Sequence, residues 1–242
     1  MAKTSPRKPK KYKISEAISI IAHQLKNPIA IIKGYLEALI SGDFGEVNPA
    51  QKDYLSDALT NVLRMSKTVN NVVDVTMIEE RKYKLNLKPV ALEEITFEVL
   101  SDFFHWAKAS NCKIIFKKPK RLPEVLTDPN KIRQVIENFL SNAIKYNLGR
   151  GIIEVSVSLE KEEEKVIFCC KDNGIGIPEE DFKKVFTKFY RSEKAMEIDP
   201  SGSGLGLYIN KAIVESSGGE IWFSKNKKRG MTFCFSLPII QK

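Results

Sequence analysis

Residues 14–41 read ISEAISIIAHQLKNPIAIIKGYLEALIS. Ile14, Ile18, Ala22, Leu25, Ile29, Ile32, Leu36 and Leu39 recur at steps of three and four, the spacing of one helical face. At about 100° per residue, His23 falls roughly 140° and Asn27 roughly 180° from Ile18 on the helical wheel. Both side chains therefore point away from the apolar stripe, one turn apart. Pro28 follows at once; its ring removes the hydrogen bond to the carbonyl of Gln24, so the helix is expected to bend beside this outward strip. An exposed imidazole acts as a nucleophile when one ring nitrogen is held as N–H and the other is free.

Working outward, SGDFGEVNPAQ (residues 41–51) breaks the period. Asn48, Pro49 and Gln51 form an N-cap, a first helical position and a capping box. A second helix is predicted to about residue 80, with Leu55, Ala58, Val62, Met65, Val69, Val72 and Thr76 in heptad spacing. Two helices cannot cover two apolar seams, so residues 14–80 are expected to pair with a second copy as a dimeric four-helix bundle. RKYKLNLKPV (residues 81–90) reads as a linker. The remainder alternates helix and strand: a helix over 91–110, strands KIIFKK and EVLTD, and a helix over 129–147 capped by Asp128 with Pro129 at its start. Strands IIEVSVSLE and KVIFCCKD follow, then a helix through GLGLYINKAIVESSGG and strands EIWFSKN and MTFCFSLP. The fold class is α+β: a helical hairpin followed by an α/β sandwich with a mixed sheet and helices on one face. The expected domains are a basic tail (1–13), the hairpin (14–82), a linker (83–90) and a second domain (91–240).

The net charge of +9 is unevenly spread, six positive charges lying in MAKTSPRKPKKYK, which holds no acid. The rest is near balance, which argues against a DNA-binding protein. The tail reads as solvated, with contact to an anionic membrane surface as the sharper option. Such a basic start also suits a core preceded by an upstream sensor or membrane segment. No apolar run reaches the ~18 residues of a membrane span, and no signal peptide is read. The four cysteines form no CxxC pair; buried reduced thiols and a cytoplasmic setting are expected.

Asn138, Asn142 and Lys145 form a polar strip along the 129–147 helix, beside an apolar face of Ile132, Val135, Ile136, Phe139 and Ala143. Amide oxygens suit a hard cation that carries phosphates, and a lysine suits a phosphate oxygen. DNGIGIP (172–178) follows a strand: Asp172 can accept from an adenine amine, and Gly174 and Gly176 allow close approach of a flat ring. GSGLGL (202–207) opens a helix, as phosphate sites do. The charged segment between these two motifs reads as a lid. There is no GxxxxGK[ST] and no HRD or DFG, so neither a P-loop nor a Ser/Thr/Tyr kinase site is present.

Taken in order, the His-Pro helix, the heptad helix, NFLSNAIKYN, DNGIGIP, FTKFYR and GSGLGLYI resemble the catalytic core of bacterial two-component sensor histidine kinases over residues 14–238. The second domain resembles the nucleotide fold of Hsp90, gyrase and MutL. The resemblance implies ATP and Mg²⁺ as cofactors, His23 as phosphoacceptor, Asn142 as the Mg²⁺ ligand with Asn138 beside it, Lys145 as a phosphate contact and Tyr146 as a pocket wall. It places Asp172, Gly174 and Gly176 at adenine. Phe186 and Phe189 pack the lid, with Arg191 as a γ-phosphate contact. Gly202, Gly204, Leu205 and Gly206 fall in the second glycine box, and Thr232 beside Asp172. It implies a homodimer and a response regulator receiver domain as partners. Gln24 departs from the family, which has Glu or Asp there; a neutral partner for the imidazole implies slower autophosphorylation. Asn27 matches a position that members with phosphatase activity fill with Thr or Asn. Two rival readings are a stand-alone ATPase of the same fold and a phosphatase-dominant or scaffold protein with weak autokinase. His105, Trp106 and Trp222 read as structural.

Overall fold

The computed structural model describes residues 14–147 and 149–240; the basic run 1–13 lies outside them. The described residues form two compact units, divided between Tyr83 and Lys84.

The first unit is a hairpin of α1 (Ile14–Ser41) and α2 (Pro49–Glu79). The start of α2 is fixed by a reciprocal capping box: Asn48 Oδ1 accepts from the Gln51 N–H and Gln51 Oε1 accepts from the Asn48 N–H, each at 2.9 Å. Helix α1 continues through Pro28. Within one copy the apolar stripe is only partly covered. Ala22, Ile29, Val62 and Val75 are buried, whereas Leu25, Ile31 and Ile32 on α1 and Leu63 and Met65 on α2 stay exposed.

The second unit contains β1 (Lys88–Val90), α3 (Leu92–Ala109), β2 (Cys112–Phe116), β3 (Val125–Thr127), α4 (Pro129–Lys145), β4 (Gly151–Glu160) and β5 (Lys165–Asp172). A 3-10 turn at Glu179–Lys184, α5 (Glu193–Ile198), α6 (Gly206–Ser216), β6 (Glu220–Lys225) and β7 (Met231–Pro238) complete it. The five-stranded sheet runs β2-β4-β5-β7-β6, with β2 and β4 parallel and the other neighbours antiparallel, so it is mixed. Along β4, Ile153, Val155 and Val157 are buried while Ile152, Glu154, Ser156 and Ser158 are exposed. This alternation sets the helices on one face and leaves the other to solvent. The core joins the apolar face of α4 to the strands through Phe139, Phe168, Phe233 and Phe235, with ring centroids 5.1–6.3 Å apart. Arg133 ties α4 to α3 by ion pairs to Glu98 and Asp102.

Two expectations need correction. The linker read at 81–90 contains β1, which pairs antiparallel with β3 from Lys88 opposite Thr127 to Val90 opposite Val125. Three residues are too few to show a period. The cysteines are not all thiols either: Cys169 and Cys234 form a disulfide. The pairing of β5 with β7 sets these residues directly opposite each other, with Cα atoms 4.2 Å apart, the close spacing of a non-hydrogen-bonded antiparallel pair. They lie one position off the core-facing rung of Cys170 and Phe233. Cys112 and Cys170 are buried free thiols, and burial pushes both thiols up from their ordinary range.

Candidate functional site

In the hairpin, His23, Gln24 and Asn27 are all exposed while Ala22 and Ile29 on the same helix are buried. The wheel places them so because the apolar stripe turns inward and they lie on the opposite side, which Ile20 and Ile31 share as exposed residues.

In the second unit, α4 begins where Asp128 Oδ1 accepts from the N–H groups of Asn130 and Lys131, and Asp128 Oδ2 accepts from the Asn86 N–H at 3.0 Å. This cap fixes the rotation of the helix. Ile132, Val135, Ile136, Phe139 and Ala143 are buried, as read from the pattern, and Asn138 and Asn142 stand half-buried at the edge of that face. The Asn138 Nδ2 is buried without a hydrogen-bond partner. An orphaned amide at this depth marks a place where a further polar group is accommodated. Gly206, the first residue of α6, lies against it: a β-carbon there would come within 2.7 Å of the Asn138 amide. The N-terminus of α6 has no side-chain cap, since Leu205 occupies the N-cap position. Its first N–H groups are therefore free to bind an anion.

The residues read as an adenine box come together at the end of β5. Asp172 Oδ1 accepts from the Gly174 N–H at 2.8 Å and from the Met231 N–H at 3.2 Å. Burial pushes the Asp172 carboxyl up from its ordinary range, and these two N–H bonds oppose that shift. Both bonds fall on one oxygen, so Oδ2 takes neither of them. Gly176 opens onto free space, with nothing within 4 Å of the position of its missing β-carbon. The turn after β6 buttresses this corner. Asn226 Nδ2 donates to the Asp172 carbonyl at 2.7 Å, the Thr232 hydroxyl donates to Asn226 Oδ1 at 2.6 Å, and Arg229 Nε donates to the Gly174 carbonyl at 3.0 Å. The sequence points to Thr232 but not to Asn226 or Arg229, because only the pairing of β6 with β7 brings the basic KKRG turn (227–230) to Asp172. Tyr146 enters through its backbone, its carbonyl accepting from the Ile175 N–H at 3.0 Å.

The segment between the glycine motifs is more ordered than a bare lid. It holds α5, capped by Ser192, whose Oγ accepts from the Ala195 N–H. Arg191 donates to the carbonyls of Ala195, Asp199, Pro200 and Gly202, and Gly202 packs flat on its guanidinium. The reading of Arg191 as a phosphate contact thus meets a guanidinium engaged with main-chain carbonyls in this conformation. Phe189 is exposed, and its backbone passes so close to Gly204 that a β-carbon would lie 2.7 Å from it. Phe186 packs against Phe223, with centroids 5.7 Å apart. Lys145 Nζ pairs with Asp199 Oδ2 at 3.0 Å.

Comparison with known proteins accounts for both units. The family model for the His Kinase A (phospho-acceptor) domain matches residues 13–81, and that for the Histidine kinase-, DNA gyrase B-, and HSP90-like ATPase matches residues 127–241. The chain belongs to the sensor histidine kinase family. This kinase core is 33% identical over 223 residues to the sensor histidine kinase WalK of Bacillus subtilis (strain 168), covering 92% of this chain and 36% of the relative. It is 27% identical to the circadian input-output histidine kinase CikA of Synechococcus elongatus, covering 92% and 30%. The chain thus spans about a third of the length of these relatives. Among solved structures, full-length ShkA in complex with AMPPNP shares the fold, with a TM-score of 0.73 at 22% identity over 94% of this chain and 46% of that one. Histidine kinase ThkA in complex with the response regulator protein TrrA matches with a TM-score of 0.58 at 28% identity, over 93% of this chain and 61% of that one. Among the described residues no helix is long and apolar enough to cross a membrane.

Proposed function

We propose that this chain transfers the γ-phosphoryl group of ATP to His23 and then to an aspartate of a response regulator receiver domain. The observation that carries the reading is an outward imidazole inside the phosphoacceptor match, on a chain whose second unit sets the uncapped start of α6 at Gly206 against the orphaned Asn138 amide and leaves one oxygen of Asp172 free of its two backbone N–H bonds. A free imidazole nitrogen attacks the γ-phosphorus, the bond to the β-γ bridging oxygen breaks, and ADP leaves. The phosphorylated imidazole then gives its phosphoryl group to the regulator's carboxylate. Such transfers are driven by positioning and charge neutralisation.

The residues divide that work. Asp172 accepts the adenine amine, and Gly176 leaves room for the ring. Lys145 and the first N–H groups of α6 receive phosphate oxygens. Asn138 and Asn142 fit a phosphate-carrying cation through neutral amide oxygens, and Mg²⁺ bound there would supply charge neutralisation for the phosphates. Gln24 accepts the imidazole N–H and fixes the tautomer, without the full charge that would stabilise an imidazolium. Asn27, one turn beyond, orients a water toward the regulator's aspartyl phosphate, giving a phosphatase activity. The uncovered stripe of Leu25, Ile31, Ile32, Leu63 and Met65 supports a homodimer through residues 14–80. The hairpin has no role in the rival reading as a stand-alone ATPase.

The test is incubation with γ-³²P-ATP and Mg²⁺ for wild type and His23→Ala. Acid-labile, alkali-stable label that disappears in the variant is expected. Bound ATP with no label on the protein would leave a phosphatase or scaffold, and the autokinase reading would fall.

A further inference from the structure

Lys145 is the one lysine of the polar strip on α4, and it is already occupied. Its ammonium meets Asp199 Oδ2 at 3.0 Å. Asp199 is not a loose surface acid that has swung across. Its other oxygen accepts from the Ser201 N–H and from the Ser201 hydroxyl, and its main-chain carbonyl accepts from Arg191. Arg191 in turn holds the carbonyls of Ala195, Pro200 and Gly202. The carboxylate is therefore fixed in place by the whole 191–202 segment. Burial pushes its carboxyl up, but the Ser201 bonds and the Lys145 ammonium outweigh that and hold it at about 2, so it is fully charged near neutrality.

We propose that Asp199 is an internal stand-in for nucleotide phosphate, a carboxylate that occupies Lys145 until a phosphate displaces it and the 191–202 segment moves. This rests on the reading of Lys145 as a phosphate contact. Three features support it. The anion is presented to a cation one turn from Asn142 and two turns from the orphaned Asn138 amide. The displaced group is anchored through its backbone, so releasing Lys145 shifts a segment rather than a rotamer. The N-terminus of α6, which the same segment leads into, carries no side-chain cap and offers its own N–H groups to an anion. The carboxylate thus sets a threshold for ligands that carry phosphate and leaves nucleosides unaffected. It couples nucleotide arrival to movement of the segment, since a phosphate drawn to this ammonium meets the negative charge of the Asp199 carboxylate beside it.

Titration calorimetry of the intact chain with Mg-ATP and, separately, with adenosine tests this. Asp199→Asn keeps an oxygen for Ser201 and removes the competing charge. It should bind ATP about threefold to fivefold tighter, the effect of a partly exposed ion pair, with adenosine affinity unchanged. Lys145→Ala should weaken ATP and not adenosine. Ser201→Ala loosens the carboxylate while keeping its charge, so it should give only part of the Asp199→Asn gain. If Asp199→Asn tightens ATP and adenosine alike, the segment is a general lid and the stand-in is refuted. If Asp199→Asn leaves ATP unchanged or weaker while Lys145→Ala still weakens it, the stand-in falls and Lys145 remains a phosphate contact. If Lys145→Ala leaves ATP affinity unchanged, the reading of Lys145 falls and takes the stand-in with it.

Discussion

Two glycines near the end of β5, Gly176 and Gly230, share a backbone conformation and differ in what surrounds them. Gly176 has φ +73° and nothing within 4 Å of a built β-carbon; Gly230 has φ +85°, and a β-carbon there would lie 2.1 Å from the Asp172 carbonyl oxygen and 2.6 Å from Oδ1. An alanine at either place carries the left-handed penalty of about 1–2 kcal/mol. At Gly230 the overlap is with backbone, which cannot rotate away, so β5 and β7 must separate locally and the Met231 bond to Asp172 is lost. That adds roughly 1–3 kcal/mol for a buried acceptor left short of a donor. In a unit of about 160 residues, 1 kcal/mol moves Tm by about 2–4 °C. Gly176→Ala should therefore lower Tm by about 2–8 °C, and Gly230→Ala by clearly more, in a calorimetric scan of the two variants side by side. The functional readout separates them differently. If the open space over Gly176 is where the ring lies, its methyl should weaken ATP and adenosine by tenfold or more in a protein that is otherwise folded. A Gly176→Ala protein that binds adenosine like wild type would place the ring elsewhere and refute the reasoning.

Asp172→Asn keeps the oxygen that takes both N–H bonds and removes a buried charge. Because burial holds the Asp172 carboxyl above its unfolded value, its favourable contribution is complete below the ordinary carboxylate range and is lost as pH rises through the folded value. At pH 7 the variant should be at least as stable as wild type by urea unfolding, yet bind ATP far more weakly, since an amide donor would face the adenine amine. Gln24→Glu should raise the autophosphorylation rate about fivefold, the difference between a neutral and a charge-assisted hydrogen bond; an unchanged or lower rate would remove Gln24 from the account. Thiol titration of the denatured, unreduced protein should find two groups rather than four. Cys234→Ser should lose about 4 kcal/mol on the chain-entropy model for a bridge spanning 65 residues.

How far the sequence carries depends on whether the deciding interaction is local. The capping box at Asn48, the buried face of α4 and the alternation of β4 are each set within a few residues, and each is legible. The mixed sheet follows from counting strands and crossovers. The pairing of Cys169 with Cys234 is a matter of register between strands 65 residues apart, and two cysteines in alternating runs do not announce it. Strand β1 is legible only beside β3, because three residues carry no period. Asn226 and Arg229 escape for the same reason: a basic hairpin turn gives no sign that it folds onto the Asp172 backbone. The lid shows the limit from the other side. Its charge suggested mobility, and the same charges, Arg191 and Asp199, are what organise it.

The hairpin makes a prediction of its own. In a single copy, Ile20, Ile21, Leu25, Ile31 and Ile32 of α1 remain 43–55% exposed, although Leu25 and Ile32 belong to the stripe that the sequence marks as a core. Fully burying such a side chain contributes about 1.5–3 kcal/mol. Among the described residues of the hairpin, Ala22, Ile29, Val62 and Val75 are the fully buried apolar side chains, which is little to set against the entropy of ordering two long helices. Covering the exposed set against a second copy would supply the deficit, so folding of this unit and association become one equilibrium. The melting temperature of the hairpin in the intact chain should then rise with protein concentration, and Ile32→Asp should abolish both the dimer by light scattering and the helical signal of that unit. The nucleotide-binding unit should keep its own transition. A hairpin melting at the same temperature across a hundredfold range of concentration would show that it is stable alone, and the dimer would lose its physical ground.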